Sequence, residues 1–291
     1  MFPKRLVRSY QIAGLEFQIA CDENAAYRTE GFLEGYEIEE TNPDHRVSVS
    51  RMPQLPTPEG AVAFHAEDQI VYRENGRVQL YSGAVRGGVA HASVCTIRDG
   101  DQIGIVFRDA YVNGEISARL ILNAIDLPHL LTIHNGFLLH ASFIEHEGGA
   151  ILFTAPSETG KSTQAQLWCD HAGAALVNGD RAAVRIIDGE VFACGTPFSG
   201  SSPVRRNVIL PLKAIVYLSQ AAQNSICRLK GVRAFRRVWE GCTVNFWDRS
   251  DLELATNTVS GVVSRIPVYH LACTPDVRAV EVLKNTLEVE L

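Results

Sequence analysis

The sequence predicts an α/β protein in two parts: a β-rich N-terminal part over 1–130, then a part over 131–291 built on a strand–loop–helix–strand core. Three observations lead there. Through the first ~125 residues apolar positions alternate with polar ones and are cut by turn signals. Near Ile116 the apolar period lengthens to that of a helix. From Gly136 onward, short apolar runs are joined by a glycine-containing loop and by helix-compatible segments.

The β elements come first. Leu15, Phe17 and Ile19 alternate with polar neighbours, as does the stretch Arg46–Ser50, the pattern of half-buried strands. Asn75-Gly76 separates Ile70–Tyr72 from Val78–Tyr81 and signals a two-residue hairpin turn. Asp99-Gly100 does the same between Val94–Ile97 and Ile103–Phe107. The run Met52–Pro58 carries three prolines and cannot form a ladder, so it is a loop. A helix follows, with Ile116, Leu120, Ile121 and Ala124 on one face, Asn113 as its expected cap and Pro128 ending or bending it.

In the second part Ala150–Thr154 is an apolar strand, Lys161–His171 a helix and Ala174–Val177 a second strand, which together read as a βαβ unit of a buried sheet. Val184–Ile187 and Val191–Cys194 flank a turn at Asp188-Gly189-Glu190, and Leu212–Leu218 is another strand. Leu252, Ala255, Val259, Val262, Val263 and Ile266 form a helical stripe. The last helix is expected to start with Thr274 as cap and Pro275 at its first position.

Composition excludes several classes. Apolar residues make up 46% and charged residues 21% of 291, and the net charge is −6. A general nucleic-acid or anionic-membrane binder needs a basic surface, so neither partner is expected. Seven cysteines with no Cys-x-x-Cys pair fit neither a zinc site nor a disulfide framework. No apolar leader follows Met1–Arg5 and no run approaches the ~20 residues of a membrane helix, so the expectation is a cytoplasmic protein.

One segment carries chemistry. Ala155-Pro156-Ser157-Glu158-Thr159-Gly160-Lys161-Ser162-Thr163 has the Walker A spacing, with Ala155 where glycine is commoner. A loop that leaves a strand and enters a helix turns its backbone N–H groups inward, at the positive end of the helix. Lys161 adds a cation for the phosphates, and the Ser162 hydroxyl suits Mg²⁺. The expected ligands are therefore ATP and Mg²⁺. The metal also needs a carboxylate, and Asp180 stands at the end of the next strand. It can hold the metal, orient an acceptor hydroxyl or act as base, while Asn178-Gly179-Asp180 also reads as a plain turn. By itself His140, among apolar neighbours, reads as a core histidine.

His140-Ala141, the loop Ser157–Ser162 and Val177-Asn178-Gly179-Asp180-Arg181, in that order, resemble the catalytic domain of HPr kinase/phosphorylase. That family shares its nucleotide-binding core with phosphoenolpyruvate carboxykinases. The resemblance spans about Gly136–Leu218. It implies that Lys161 binds phosphates, that Ser162 and Asp180 handle Mg²⁺, and that His140 lies near the acceptor. It also implies a serine-directed kinase acting on a protein, a peptide or the free amino acid, with homo-oligomers as in that family. The β-rich part would then recognise the acceptor.

Two departures bear on turnover. Gly179 stands where the family has a second aspartate, and Glu158 replaces a loop glycine. They leave room for a catalytically weak nucleotide-binding regulatory protein. The family's later glycine-rich signature and HPr-docking region have no counterpart, although Gly195–Ser202 occupies a comparable place and is a candidate active-site loop. Arg205 or Arg206 is a candidate for the transferred phosphoryl group. Arg233, Arg236 and Arg237, near Phe235 and Trp239, read as one face of an amphipathic helix, with a docking surface for an acidic peptide as the alternative.

Overall fold

The computed structural model describes residues 6–25, 27–28, 31–39, 42–83, 85–112 and 114–290. The chain divides into two units, Met1–Leu127 and Pro128–Leu291. Among the described residues they hold two nine-stranded sheets and six α-helices. No helix is long and apolar enough to cross a membrane.

In the first unit β1 (Leu6–Ile12), β2 (Leu15–Cys21), β3 (Tyr27–Arg28), β4 (Glu37–Ile38), β5 (His45–Met52), β6 (Ala61–His65), β7 (Gln69–Glu74), β8 (Arg77–Gly83), β9 (Ala92–Asp99), β10 (Gln102–Arg108) and β11 (Ile116–Ser117) precede helix α1 (Ala118–Ala124). The sheet order is β4-β1-β2-β5-β10-β9-β8-β7-β6. Alternation in β2 buries Leu15, Phe17, Ile19 and Cys21 on one face. The β7–β8 turn is Asn75-Gly76, with φ of 47° and 85°, the paired left-handed conformation that Asn-Gly favours. The β9–β10 turn sits one residue later than its dipeptide signal, on Gly100-Asp101, because Asp99 pairs with Gln102. Helix α1 starts later than expected: Asn113 lies outside the described residues, and Ser117 is the cap, its Oγ accepting from Leu120 N at 3.3 Å.

Helix α2 (Leu127–Ile133) leads into the second unit, so Pro128 occupies the first turn of a new helix, where its missing N–H costs nothing. Then come β12 (Gly136–His146), β13 (Gly149–Thr154), α3 (Lys161–Ala172), β14 (Ala175–Asn178), β15 (Arg181–Ile187), β16 (Glu190–Cys194), β17 (Ile209–Gln220), β18 (Ser225–Leu229), α4 (Val232–Trp239), β19 (Cys242–Thr243), α5 (Arg249–Arg265), β20 (Val268–Cys273) and α6 (Val277–Glu290). Both β13 and β14 pair antiparallel with β12, so the expected βαβ strands are parallel with β12 inserted between them. On its other side β13 lies parallel to β17, and β17 parallel to β20.

All six residues of β13 are buried. Ala150 and Leu152 join a core with Val238 of α4 and Val259 and Val262 of α5. Ile151, Phe153 and the following Ala155 join another with Trp168 of α3 and Leu283 of α6. The sheet is thus covered by helices on both faces. Helix α6 is capped by Asp276 rather than Thr274: the Asp276 carboxylate accepts from Arg278 N at 3.0 Å, and the Thr274 hydroxyl donates to that same carboxylate. All seven cysteines are unpaired, and burial pushes the Cys194 thiol up to about 12.

Phe153 is fully buried with its ring centroid 6.3 Å from that of Trp168. Phe153→Ala should therefore destabilise the second unit by about 3–5 kcal/mol, read as a lowered midpoint in urea followed by Trp fluorescence.

Candidate functional site

Because β13 is held on both faces, the turn after Thr154 is fixed in space, and the chain re-enters a helix at Lys161. Gly160 caps α3 at φ 117° and ψ 17°, a backbone state that side chains disfavour. The first intrahelical bond runs from Gln164 N to Gly160 O at 2.9 Å, which leaves the earlier N–H groups of α3 without helical acceptors. Glu158, in the middle of the loop, has φ 64° with its side chain exposed. The left-handed backbone costs roughly 1 kcal/mol there, and the carboxylate points to solvent rather than burying a negative charge in the loop.

Lys161 is 7% exposed, and its Nζ donates to Ala155 O at 3.0 Å and Pro156 O at 3.2 Å. The ammonium thus ties the start of the loop to its end. Burial pushes its pKa down and the nearby Asp180 carboxylate raises it, with a net lowering. Ser157, Ser162 and Thr163 are exposed at the loop and on the first turn, and Thr159 is half-buried.

Asp180 is presented by a turn that Asn178 builds. Asn178 is fully buried; its Oδ1 accepts from the N–H of Asp180 at 2.8 Å and of Arg181 at 2.9 Å. Its Nδ2 donates to Thr196 O at 2.7 Å. The Asn-Gly-Asp turn and the placement of an acid are therefore one device. Gly195–Ser202 is pinned against it: Thr196 Oγ1 donates to Arg181 O at 2.6 Å, and a Cβ on Gly200 would lie 2.9 Å from Asp180 Cβ. A Cβ on Gly179 would meet Ser202 Cβ at 2.8 Å, so the space of a second aspartate is already filled.

His140, on β12, pairs with Arg181 across the ladder. Its Nδ1 is 3.9 Å from Asp180 Oδ1, close but not hydrogen-bonded. Burial pushes its pKa down, Lys161 and Arg181 push it further and Asp180 opposes them; the net is lowered, so the ring is neutral at pH 7. It is half-buried beside charged groups rather than enclosed in the apolar core.

The loop lies between two cavities. One, of about 340 Å³, is lined by His140, Thr154, Ser157, Tyr217, Arg237 and Glu240. Arg237 lies over the Tyr217 ring, 4.4 Å from its centroid, and is paired with Glu240 at 2.9 Å. The other, of about 540 Å³, is lined by Gly160, Thr163, Gln164, Gln220, Cys273 and Thr274, among others.

Three of the arginines singled out in the sequence lie near the loop or its turn. Arg206 is paired with Glu145 at 2.8 Å, while the backbone of Arg205 bridges to Asn178. Arg237, assigned to a plain helix face, instead reaches the cavity beside His140. No short motif marks it, because α4 is brought to the loop only by the sheet.

Among the described residues no group of three or more His, Cys, Asp or Glu side chains is placed to hold a metal. Mg²⁺ does not need one: it keeps several waters and shares one or two protein oxygens with substrate phosphates. The Ser162 hydroxyl and the part-exposed Asp180 carboxylate are hard oxygen donors of that kind.

No family model matches the sequence, and no curated protein matches it. Among solved structures the chain is similar to the Hpr(Ser) kinase/phosphatase from Coxiella burnetii, with a TM-score of 0.31 and 12% identity over 53% of this chain and 99% of that one. A likeness of that size decides neither activity nor ligand.

The crowding at Gly179 generates a test. Gly179→Asp should not add a metal ligand; it should displace the 195–202 loop at a cost of about 1–3 kcal/mol. Thermal unfolding and limited proteolysis at that loop measure the loss, and Ser202→Gly in the same chain should recover most of it.

Proposed function

We propose that this chain transfers the terminal phosphoryl group of a magnesium-bound nucleoside triphosphate to a hydroxyl on a small molecule, a peptide or a protein. The observation that supports it most directly is the meeting of Lys161, Asp180 and His140 at the loop that joins β13 to α3. The N–H groups of Ser157–Thr163 would cradle the phosphates, and Lys161 would exchange its two carbonyl acceptors for phosphate oxygens. Ser162 and Asp180 would hold Mg²⁺, which would supply neutralisation of the phosphate charge.

His140, neutral at pH 7 and 3.9 Å from Asp180, would take the acceptor's proton. The acceptor oxygen bonds to phosphorus, the bond from phosphorus to the bridging oxygen breaks, and the nucleoside diphosphate leaves. Catalysis is then mainly positioning and charge neutralisation. A second reading is a nucleotide-binding regulatory protein without turnover. The Ser202 side chain in the place of a second carboxylate favours it.

Phosphorus NMR of Mg·ATP with serine, small alcohols and serine-containing peptides separates the two. A new phosphoester signal that Asp180→Asn abolishes supports the kinase; bound but unchanged ATP supports the regulator. Lys161→Met should weaken nucleotide binding by on the order of tenfold or more, the loss of a charge-assisted bond, as read by calorimetry. Because the His140 pKa is lowered, its base form is present at neutral pH and lost as pH falls through a value below 6.5. The rate should fall along that acid limb, and His140→Ala should be slow and lack it.

A further inference from the structure

The larger cavity lies at the carboxyl ends of three parallel strands. β13 ends at Thr154, β17 at Gln220 and β20 at Cys273, and the crevice beyond such ends is where open α/β sheets take ligands. Its volume of about 540 Å³ falls in the range of small-molecule sites. It flanks the phosphate loop on the side away from His140 and Arg237: Gly160 and Thr163 form one wall, and Cys273, Thr274 and Pro275 form another.

Between these walls stands Gln164, 2% exposed, on the first turn of α3. Its Nε2 donates to Cys273 Sγ at 3.5 Å, and its Oε1 accepts no hydrogen bond. A buried acceptor left without a donor costs about 1–3 kcal/mol, a cost that a ligand's N–H would remove. The amide also keeps a second N–H on Nε2. It therefore offers one acceptor and one donor side by side, the complement of the N6 amino group and N7 of adenine. A 6-oxopurine presents two acceptors at the same edge and would set its O6 against Oε1. Burial pushes the Cys273 thiol up, so the group that holds the amide is uncharged at neutral pH.

We propose that this cavity binds the base of the nucleotide and that the Gln164 amide selects adenine over 6-oxopurines. The assignment rests on the nucleotide-binding reading above and adds to it which base is taken and by which residue. The phosphate loop would then lie between a base cavity and an acceptor cavity, with Lys161 between them.

Calorimetric titration of the full chain with the magnesium forms of ATP, ITP and inorganic tripolyphosphate tests it. ITP differs from ATP by a carbonyl for the amino group at C6 and a proton on N1. The wild-type chain should bind ATP on the order of tenfold more tightly than ITP. Gln164→Leu should bind ATP as weakly as ITP while binding tripolyphosphate as the wild type does. Equal ATP and ITP affinity in the wild type overturns the base assignment, as does discrimination that survives in Gln164→Leu; binding of tripolyphosphate in either case leaves the phosphate loop standing. Failure of all three ligands to bind the wild type overturns the nucleotide reading itself, and the base assignment with it. Should Gln164→Leu fail to fold, the wild-type ratio of ATP to ITP decides.

Discussion

β13 has no face to give to water. Leu152 and Ala150 pack under α4 and α5, Ile151 and Phe153 under α3 and α6, and each large side chain buried this way is worth about 1.5–3 kcal/mol. A strand clamped from both sides cannot twist or slide at its end, so the loop after Thr154 leaves from a fixed point in a fixed direction. The Thr154 hydroxyl, bonded to His140 O at 3.0 Å, joins that end to β12. The loop, the first turn of α3 and the two flanking cavities all inherit their positions from this strand.

The acid side of the site depends on a second buried group. Asn178 spends its amide on three backbone partners, two in the turn that carries Asp180 and one in the segment after Cys194. Turn and segment are consequently one packed unit. A glycine at 179 is what this packing requires, because a Cβ there would meet Ser202 Cβ at 2.8 Å. Asp180 is the carboxylate this turn presents, with His140, Arg181 and Lys161 around it.

Much of this was legible in the sequence where local chemistry decides. Asn75-Gly76 and Asp188-Gly189 turn as expected because Asn, Asp and Gly tolerate positive φ. The same device at Ala13-Gly14 and Glu147-Gly148 was missed, since alanine and glutamate at the first position give no such signal. Helix starts were displaced for a related reason. Where two capping residues stand close together, as Thr274 and Asp276 do, the backbone bond that forms is chosen by the surrounding chain, here with Asn224 bonded to Thr274.

What the sequence by itself determined is the strand–loop–helix with Gly160, Lys161 and Ser162, because a loop that leaves a strand and enters a helix is made from contiguous backbone and needs no distant partner. The hairpins are determined in the same way. Only the tertiary structure decided that β12 lies between β13 and β14, that Arg237 and Tyr217 reach the His140 cavity while Arg206 does not, and that the Gln164 amide is held by Cys273 with its Oε1 left without a donor. Those are contacts between residues up to about a hundred positions apart. They are set by which apolar faces find each other in the core, and no short stretch of sequence encodes that choice.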